Sequence, residues 1–201
     1  MKKIAIVLFD DVEVLDFAGP FEVFSIAGKR STGLAYEVFT VAEKSTVAAR
    51  NQLIITPTYT FANCPPPGIF LIPGGGGYHA DGTAFGSRRE MNNPMMLQWI
   101  NHHFEKAELV LSVCTGALIL AKAGLLENLE ATTHFLAIDA LRKITPSTRV
   151  LPDKRWVDNG KIVLSAGVSA GIDMSFHVLE KLQGKEVALE AAGYMQYDYW
   201  K

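Results

Sequence analysis

An α/β sandwich around a mostly parallel sheet is the fold this sequence predicts, and two observations carry the prediction. Near-continuous runs of β-branched and aliphatic residues alternate along the chain with stretches of helical periodicity, the pattern of strands covered by helices on both faces. One apolar run, Leu109-Val110-Leu111-Ser112-Val113, stops at Cys114 and passes through Thr115, Gly116 and Ala117 straight into a helical pattern. A strand that hands over to a helix this abruptly needs a sharp turn, which holds the residue at its tip above the sheet.

In chain order, the apolar runs place strands at Ile4–Phe9, Tyr36–Val41, Gln52–Thr56, Ile69–Ile72 and Leu109–Cys114, with shorter ones at Arg149–Leu151, Arg155–Val157 and Ile162–Ser165. The helical patterns place helices at Pro20–Ala27, Met91–Lys106, Gly116–Ala123, His134–Ile144, Ile172–Gln183 and Lys185–Tyr194. Asn159-Gly160 between two short apolar runs is a hairpin signal. Pro65-Pro66-Pro67 is a stiff loop. Ligands of such sheets bind outside the carboxyl ends of the strands, where Cys114 and the glycines after Ile72 both fall.

At 201 residues the chain suits a single domain, residues 1–201, with a sizeable core. Apolar residues are 49% and charged residues 20%, and the formal charge is −2. There is no Lys/Arg block, so nucleic acid is not an expected partner. No apolar stretch reaches the roughly 18 residues that cross a bilayer, so no membrane association is expected. The apolar start Ile4–Phe9 is broken by Asp10, Asp11 and Glu13, which makes it a core strand rather than a secretion signal. Two cysteines make no disulfide framework, so free thiols and a cytoplasmic location are expected.

Cys114 is the candidate nucleophile, because a helix N-terminus favours the anionic form of a thiol. The alternative is a buried structural thiol, the role assigned to Cys64 in Asn63-Cys64-Pro65. Thr115 would present its N–H to an anion beside the sulfur. Pro73-Gly74-Gly75-Gly76-Gly77 lacks the Gly-Lys-Ser/Thr and G-x-G-x-x-G signatures of phosphate binding. Its Gly75 and Gly76 amides are instead candidates for an oxyanion hole, against a plain flexible turn. Asp16, among the apolar residues of Leu15-Asp16-Phe17-Ala18, either caps a helix beginning near Pro20 or holds a proton for the thiol, with a raised pKa. Glu13 is its weaker rival. His134 after Thr132-Thr133 is a structural residue or the base of a Cys–His arrangement. His102-His103 reads as a solvated helix face, and His79 and His177 have no partner in view. No spacing fits a zinc site, and neither a metal nor any other cofactor is expected.

These segments together resemble the ThiJ/PfpI superfamily, and within it the isocyanide hydratase-like branch. The resemblance rests on Leu15-Asp16-Phe17-Ala18-Gly19-Pro20, Phe70-Leu71-Ile72-Pro73-Gly74-Gly75-Gly76, Ser112-Val113-Cys114-Thr115-Gly116-Ala117, Ala123-Gly124-Leu125-Leu126, Ala131-Thr132-Thr133-His134 and Ser169-Ala170-Gly171-Ile172-Asp173, in family order and over nearly the whole chain. It implies a flavodoxin-like three-layer sandwich, a cysteine nucleophile on the elbow, a homodimer, and a small-molecule substrate. In this branch the site is made by the cysteine, an aspartate and a threonine, here Cys114, Asp16 and Thr115. Relatives of other branches place histidine after the cysteine or use a glutamate in the acidic position. The expected reaction is hydration of an isocyanide to an N-substituted formamide through a thioimidate on Cys114. The alternatives are a glyoxalase- or deglycase-like enzyme acting on reactive carbonyls, and a ligand or redox sensor similar to the N-terminal half of AraC-type regulators. The chain ends at Trp200-Lys201 without room for a helix-turn-helix pair, so such a sensor would be a detached one. Pocket-shaping residues are expected in Phe17–Pro20, Tyr78–Phe85 and Val168–Ile172. The aromatic run Met195–Trp200 is expected to seal the chain's own core.

Overall fold

The computed structural model describes residues 1–198. Seven strands form the central sheet: β1 (Lys2–Leu8), β2 (Tyr36–Ala42), β3 (Tyr59–Thr60), β4 (Ile69–Ile72), β5 (Leu109–Ser112), β6 (Trp156–Asp158) and β7 (Ile162–Ser165). Their order is β6-β7-β5-β4-β1-β2-β3. Every neighbouring pair is parallel except β6 and β7, the hairpin that turns at Asn159-Gly160. The central order β2-β1-β4-β5-β7 is flavodoxin-like, and the direction of winding reverses between β1 and β4. Strands β4, β5 and β7 are buried at every position, so they show unbroken apolar runs instead of alternation. Each fully buried Ile, Leu or Val there contributes about 1.5–3 kcal/mol.

The helices are α1 (Val14–Ile26), α2 (Ser87–Glu90), α3 (Pro94–Phe104), α4 (Gly116–Lys122), α5 (Ile138–Ile144), α6 (Ala170–Gln183) and α7 (Lys185–Tyr194). Helices α1, α6 and α7 pack on one another, and α2, α3 and α5 pack on α4, which completes the three layers. Gly19 makes the α1–α6 contact possible, because a Cβ there would lie 2.7 Å from Ile172 Cγ1.

Several boundaries differ from expectation for definable reasons. Helix α1 starts at Val14, so Pro20 lies inside it and not at its start. Pro20 has no N–H to give the Asp16 carbonyl one turn earlier. Asp16 therefore sits in the first turn of α1 with its side chain directed elsewhere, and the helix-cap reading of Asp16 is corrected. The stretch Gln52–Thr56 does not join the main sheet. Its Leu53–Ile55 pairs antiparallel with Val47–Ala49, because Asn51 and Gln52 take left-handed backbone angles (φ 56° and 62°) and fold the chain back. Helix α3 begins only at Pro94, where the Asn93 side chain accepts the Met95 N–H at 3.0 Å and caps it. His103 is buried against Trp99 rather than solvated, and His177 pairs with Asp158 at 2.8 Å. Tyr197 stacks on Phe176 and donates to Asp173 at 2.6 Å; Tyr199 and Trp200 lie outside the described residues. Among the described residues no helix is long and apolar enough to cross a membrane.

The β5–α4 junction passes directly over the end of β4. A Cβ on Gly116 would stand 2.1 Å from the Ile72 carbonyl oxygen, a backbone atom that cannot move without parting β4 from β5. Gly116→Ala is expected to destabilise the fold by about 3 kcal/mol or more. Thermal melts check this as a Tm lower by roughly 6–12 °C.

Candidate active site

Cys114 lies between β5 and α4 with φ 56°, a left-handed backbone that non-glycine residues seldom adopt. Three hydrogen bonds hold it there. The Cys114 N–H donates to Ala166 O at 3.1 Å, the Thr133 hydroxyl donates to Cys114 O at 2.8 Å, and the Val113 N–H donates to Ile72 O at 3.1 Å. The elbow thus rests on the ends of β4 and β7 and on the Thr132-Thr133 segment. Only 5% of Cys114 is exposed, and the residue lines the cavity above the elbow.

Asp16 is fully buried beside this thiol. Its Oδ2 accepts the Gly74 N–H at 2.9 Å, and its Oδ1 has no hydrogen-bond partner among the described residues. Burial pushes the Asp16 pKa up to about 7, the Glu13 charge adds to the rise, and the Gly74 N–H and the Cys114 thiol oppose it. Burial and the adjacent Asp16 push the Cys114 thiol up to about 12, against the N–H groups of Thr115 and Val168, which favour the anion. Position at a helix start therefore does not produce a resting thiolate, contrary to the sequence expectation; desolvation outweighs the helix N-terminus. The pair instead stores a proton on sulfur next to a carboxyl group that titrates near neutrality.

A second network fixes the far side of the elbow. The Gly75 N–H donates to Thr115 Oγ1 at 3.0 Å, the buried Ser87 hydroxyl donates to Gly75 O at 2.7 Å, and Ser87 and Thr115 hydroxyls meet at 2.7 Å. The Gly75 amide proton is thus committed to Thr115. Gly75 and Gly76 line the cavity, while the amides that face the sulfur are those of Thr115 and Val168. Val168 has φ 41°, a strained angle for a β-branched residue.

The cavity over Cys114 has a volume of about 300 Å³ and is walled by Glu13, Arg50, Arg88, His134, Leu136 and Val168 together with the glycines and Thr115. Glu13 and Arg50 form an ion pair at its edge. His134 Nδ1 accepts the Leu136 N–H at 3.3 Å and caps the turn Phe135–Ala137. Burial and the nearby Arg88 charge lower the His134 pKa, so the ring is neutral at pH 7 and acts first as a structural cap. Cys64 lies outside the cavity, with its thiol donating to Pro65 O at 3.3 Å and burial raising its pKa to about 11. Among the described residues no group of three or more His, Cys, Asp or Glu side chains could hold a metal ion.

The structure therefore brings Cys114, Thr115, Gly75, Gly76 and His134 to one cavity, with Asp16 buried beside Cys114 and outside the cavity wall. Sequence reasoning missed Ser87 and Arg88. They sit in Ser87-Arg88-Arg89-Glu90, a charged stretch that gives no pattern beyond solvent exposure. Val168 opens the stretch expected to shape the pocket, but its amide role carries no sequence signal.

The description "DJ-1/PfpI family" belongs to the family model that matches residues 2–181. Isonitrile hydratase from Pseudomonas putida is 32% identical over 187 residues, 92% of this chain and 74% of that protein. The HTH-type transcriptional regulator GbdR from Pseudomonas aeruginosa is 24% identical over 188 residues, 93% of this chain and 48% of the regulator. Among solved structures, a THiJ/PfpI family protein from Pseudomonas syringae superposes with TM-score 0.84 at 28% identity, over 98% of this chain and 75% of that one. Drosophila melanogaster DJ-1beta superposes with TM-score 0.81 at 19% identity, over 98% of this chain and 99% of that one, a likeness of fold.

Proposed function

The chain belongs to the DJ-1/PfpI family, and from that premise we propose that it is a cysteine-dependent hydratase that converts a small isocyanide into an N-substituted formamide. The observation that carries this reading is the buried Asp16–Cys114 pair, in which a carboxyl titrating near 7 faces a protonated thiol. Hydration across an isocyanide carbon needs one group that gives a nucleophile and one that both takes and returns a proton close to pH 7. The similarity to isonitrile hydratase supports the same reaction.

In this mechanism the Cys114 sulfur attacks the terminal carbon of R–N≡C. Its proton passes through Asp16 to that carbon, giving the thioimidate R–N=CH–S–Cys114. Water then adds to the same carbon, with Asp16 as base. The C–S bond breaks with the electron pair returning to sulfur, which regains a proton, and R–NH–CHO leaves. The net change is the addition of one water. Thr115 and Val168 N–H groups stabilise negative charge on the sulfur as the C–S bond breaks. Thr115, held by Gly75 and Ser87, positions its own amide for this. His134 keeps the cavity wall in place.

Turnover of an aryl isocyanide, an alkyl isocyanide and methylglyoxal tests the reading. Formamide from the isocyanides is the expected result, and turnover of methylglyoxal alone would move the protein to carbonyl chemistry. A second reading, ligand sensing without turnover, draws on the match to GbdR over 93% of the chain; saturable binding of an isocyanide with no product would favour it. We also propose a homodimer, as the resemblance implies, which sedimentation velocity reads directly.

A further inference from the structure

The charge balance of the cavity singles out Arg88. Of the cationic side chains lining it, Arg50 is neutralised by Glu13 and His134 is uncharged because burial and Arg88 lower its pKa. Arg88 is partly buried and forms no ion pair among the described residues. One nitrogen, Nη1, donates to Ser87 Oγ at 3.2 Å; the other guanidinium N–H groups meet no protein acceptor among the described residues. Its charge is felt by Cys114 and by His134 across the same cavity. Neighbouring Arg89, by contrast, is satisfied by Glu90, Asp11 and the Asp10 carbonyl.

Partial burial of a guanidinium without a counter-ion is costly and persists where an anion is to be received. The planar fork fits a carboxylate in two-point contact. We infer that Arg88 is a specificity-determining residue, and that the substrate attacked by Cys114 is a small molecule bearing a carboxylate that docks on the Arg88 guanidinium. The Ser87 hydroxyl holds the guanidinium by one nitrogen and leaves its remaining edge for the ligand. A cavity of about 300 Å³ limits that substrate to a small one. This inference rests on the reading that substrate is attacked by Cys114 in this cavity, but not on the identity of the reaction.

Iodoacetate and iodoacetamide test it without any turnover, since they are nearly isosteric alkylating agents that differ in charge. The rates at which each alkylates Cys114, read by intact mass, are compared in wild type and Arg88→Gln. The expected result is a fall of about tenfold in the iodoacetate-to-iodoacetamide ratio in Arg88→Gln, with partial recovery in Arg88→Lys and a much smaller change in the iodoacetamide rate. An unchanged ratio, or equal falls in both rates, would overturn the inference, the second by making Arg88 a counter-ion of the thiolate alone. Calorimetric binding of benzoate against benzamide to the wild-type protein provides the same comparison should Cys114 resist alkylation or Arg88→Gln fail to fold. Preference for benzoate, weakened by salt, supports the carboxylate dock, and equal or absent binding of the two contradicts it. Failure of isocyanide hydration with a falling alkylation ratio would overturn the reaction assignment and leave the Arg88 role standing.

Discussion

Cys114→Ala is expected to reduce formamide production from an aryl isocyanide to the uncatalysed background, a loss on the order of 10⁴-fold or more. Without the sulfur the thioimidate of the proposed mechanism cannot form. The Asp16 carboxyl, Thr115 and His134 would remain in place, because the backbone hydrogen bonds that hold the elbow involve main-chain atoms of residue 114. The variant should therefore melt close to the wild type, and paired thermal melts and product assays separate lost chemistry from lost fold. Cys114→Ser should be as inactive, since a buried hydroxyl beside Asp16 is a far weaker nucleophile than the thiol.

Asp16→Asn is expected to move activity and stability in opposite directions. Turnover should fall about 10²- to 10⁴-fold, because the amide can neither accept nor return the thiol proton. Stability should rise, in a manner that depends on pH. The folded-state pKa of Asp16 is raised from 3.8 to about 7, so between these values the folded protein holds a proton that the unfolded chain has released. Stability from this group is then full below about pH 4, declines as pH rises to about 7, and is flat beyond. At pH 8 the buried charge costs up to about 4 kcal/mol. Asparagine is uncharged, and its carbonyl oxygen can still accept the Gly74 N–H that Asp16 Oδ2 accepts at 2.9 Å. Chemical denaturation of both proteins at pH 5 and pH 8 should show a larger advantage for Asp16→Asn at pH 8. The same difference at both pH values would show that the carboxyl is not carrying a buried charge.

Most of the architecture was legible in the chain because fully buried parallel strands leave uninterrupted apolar runs. Ile69–Ile72 and Ile162–Ser165 are strands over the residues expected, and the passage from β5 to α4 marks the elbow at Cys114. Legibility failed where conformation departed from residue preference. Pro20 looked like a helix start and is inside α1, because tertiary packing on α6 overrides the lost hydrogen bond. Leu53–Ile55 is apolar and β-branched yet lies off the main sheet, since the left-handed angles of Asn51 and Gln52 cannot be read from those residue types. The site was legible in part for the same reason. Cys114, Asp16 and Thr115 stand in motifs, whereas the amide of Val168 reaches the sulfur through a backbone angle that valine disfavours. Arg88 enters the cavity from a short helix whose sequence looks merely solvated. The thiol's acidity was misjudged because a sequence shows the helix N-terminus but not the depth of burial that outweighs it.

The most direct test of the mechanism is the mass of the peptide containing Cys114 after acid quench of a single turnover with an aryl isocyanide. The predicted result is transient addition of the whole isocyanide mass to Cys114, decaying as formamide appears, with no product from Cys114→Ala on that timescale. Formamide formed while Cys114 stays unmodified, at an equal rate in Cys114→Ala, would contradict covalent catalysis by this cysteine.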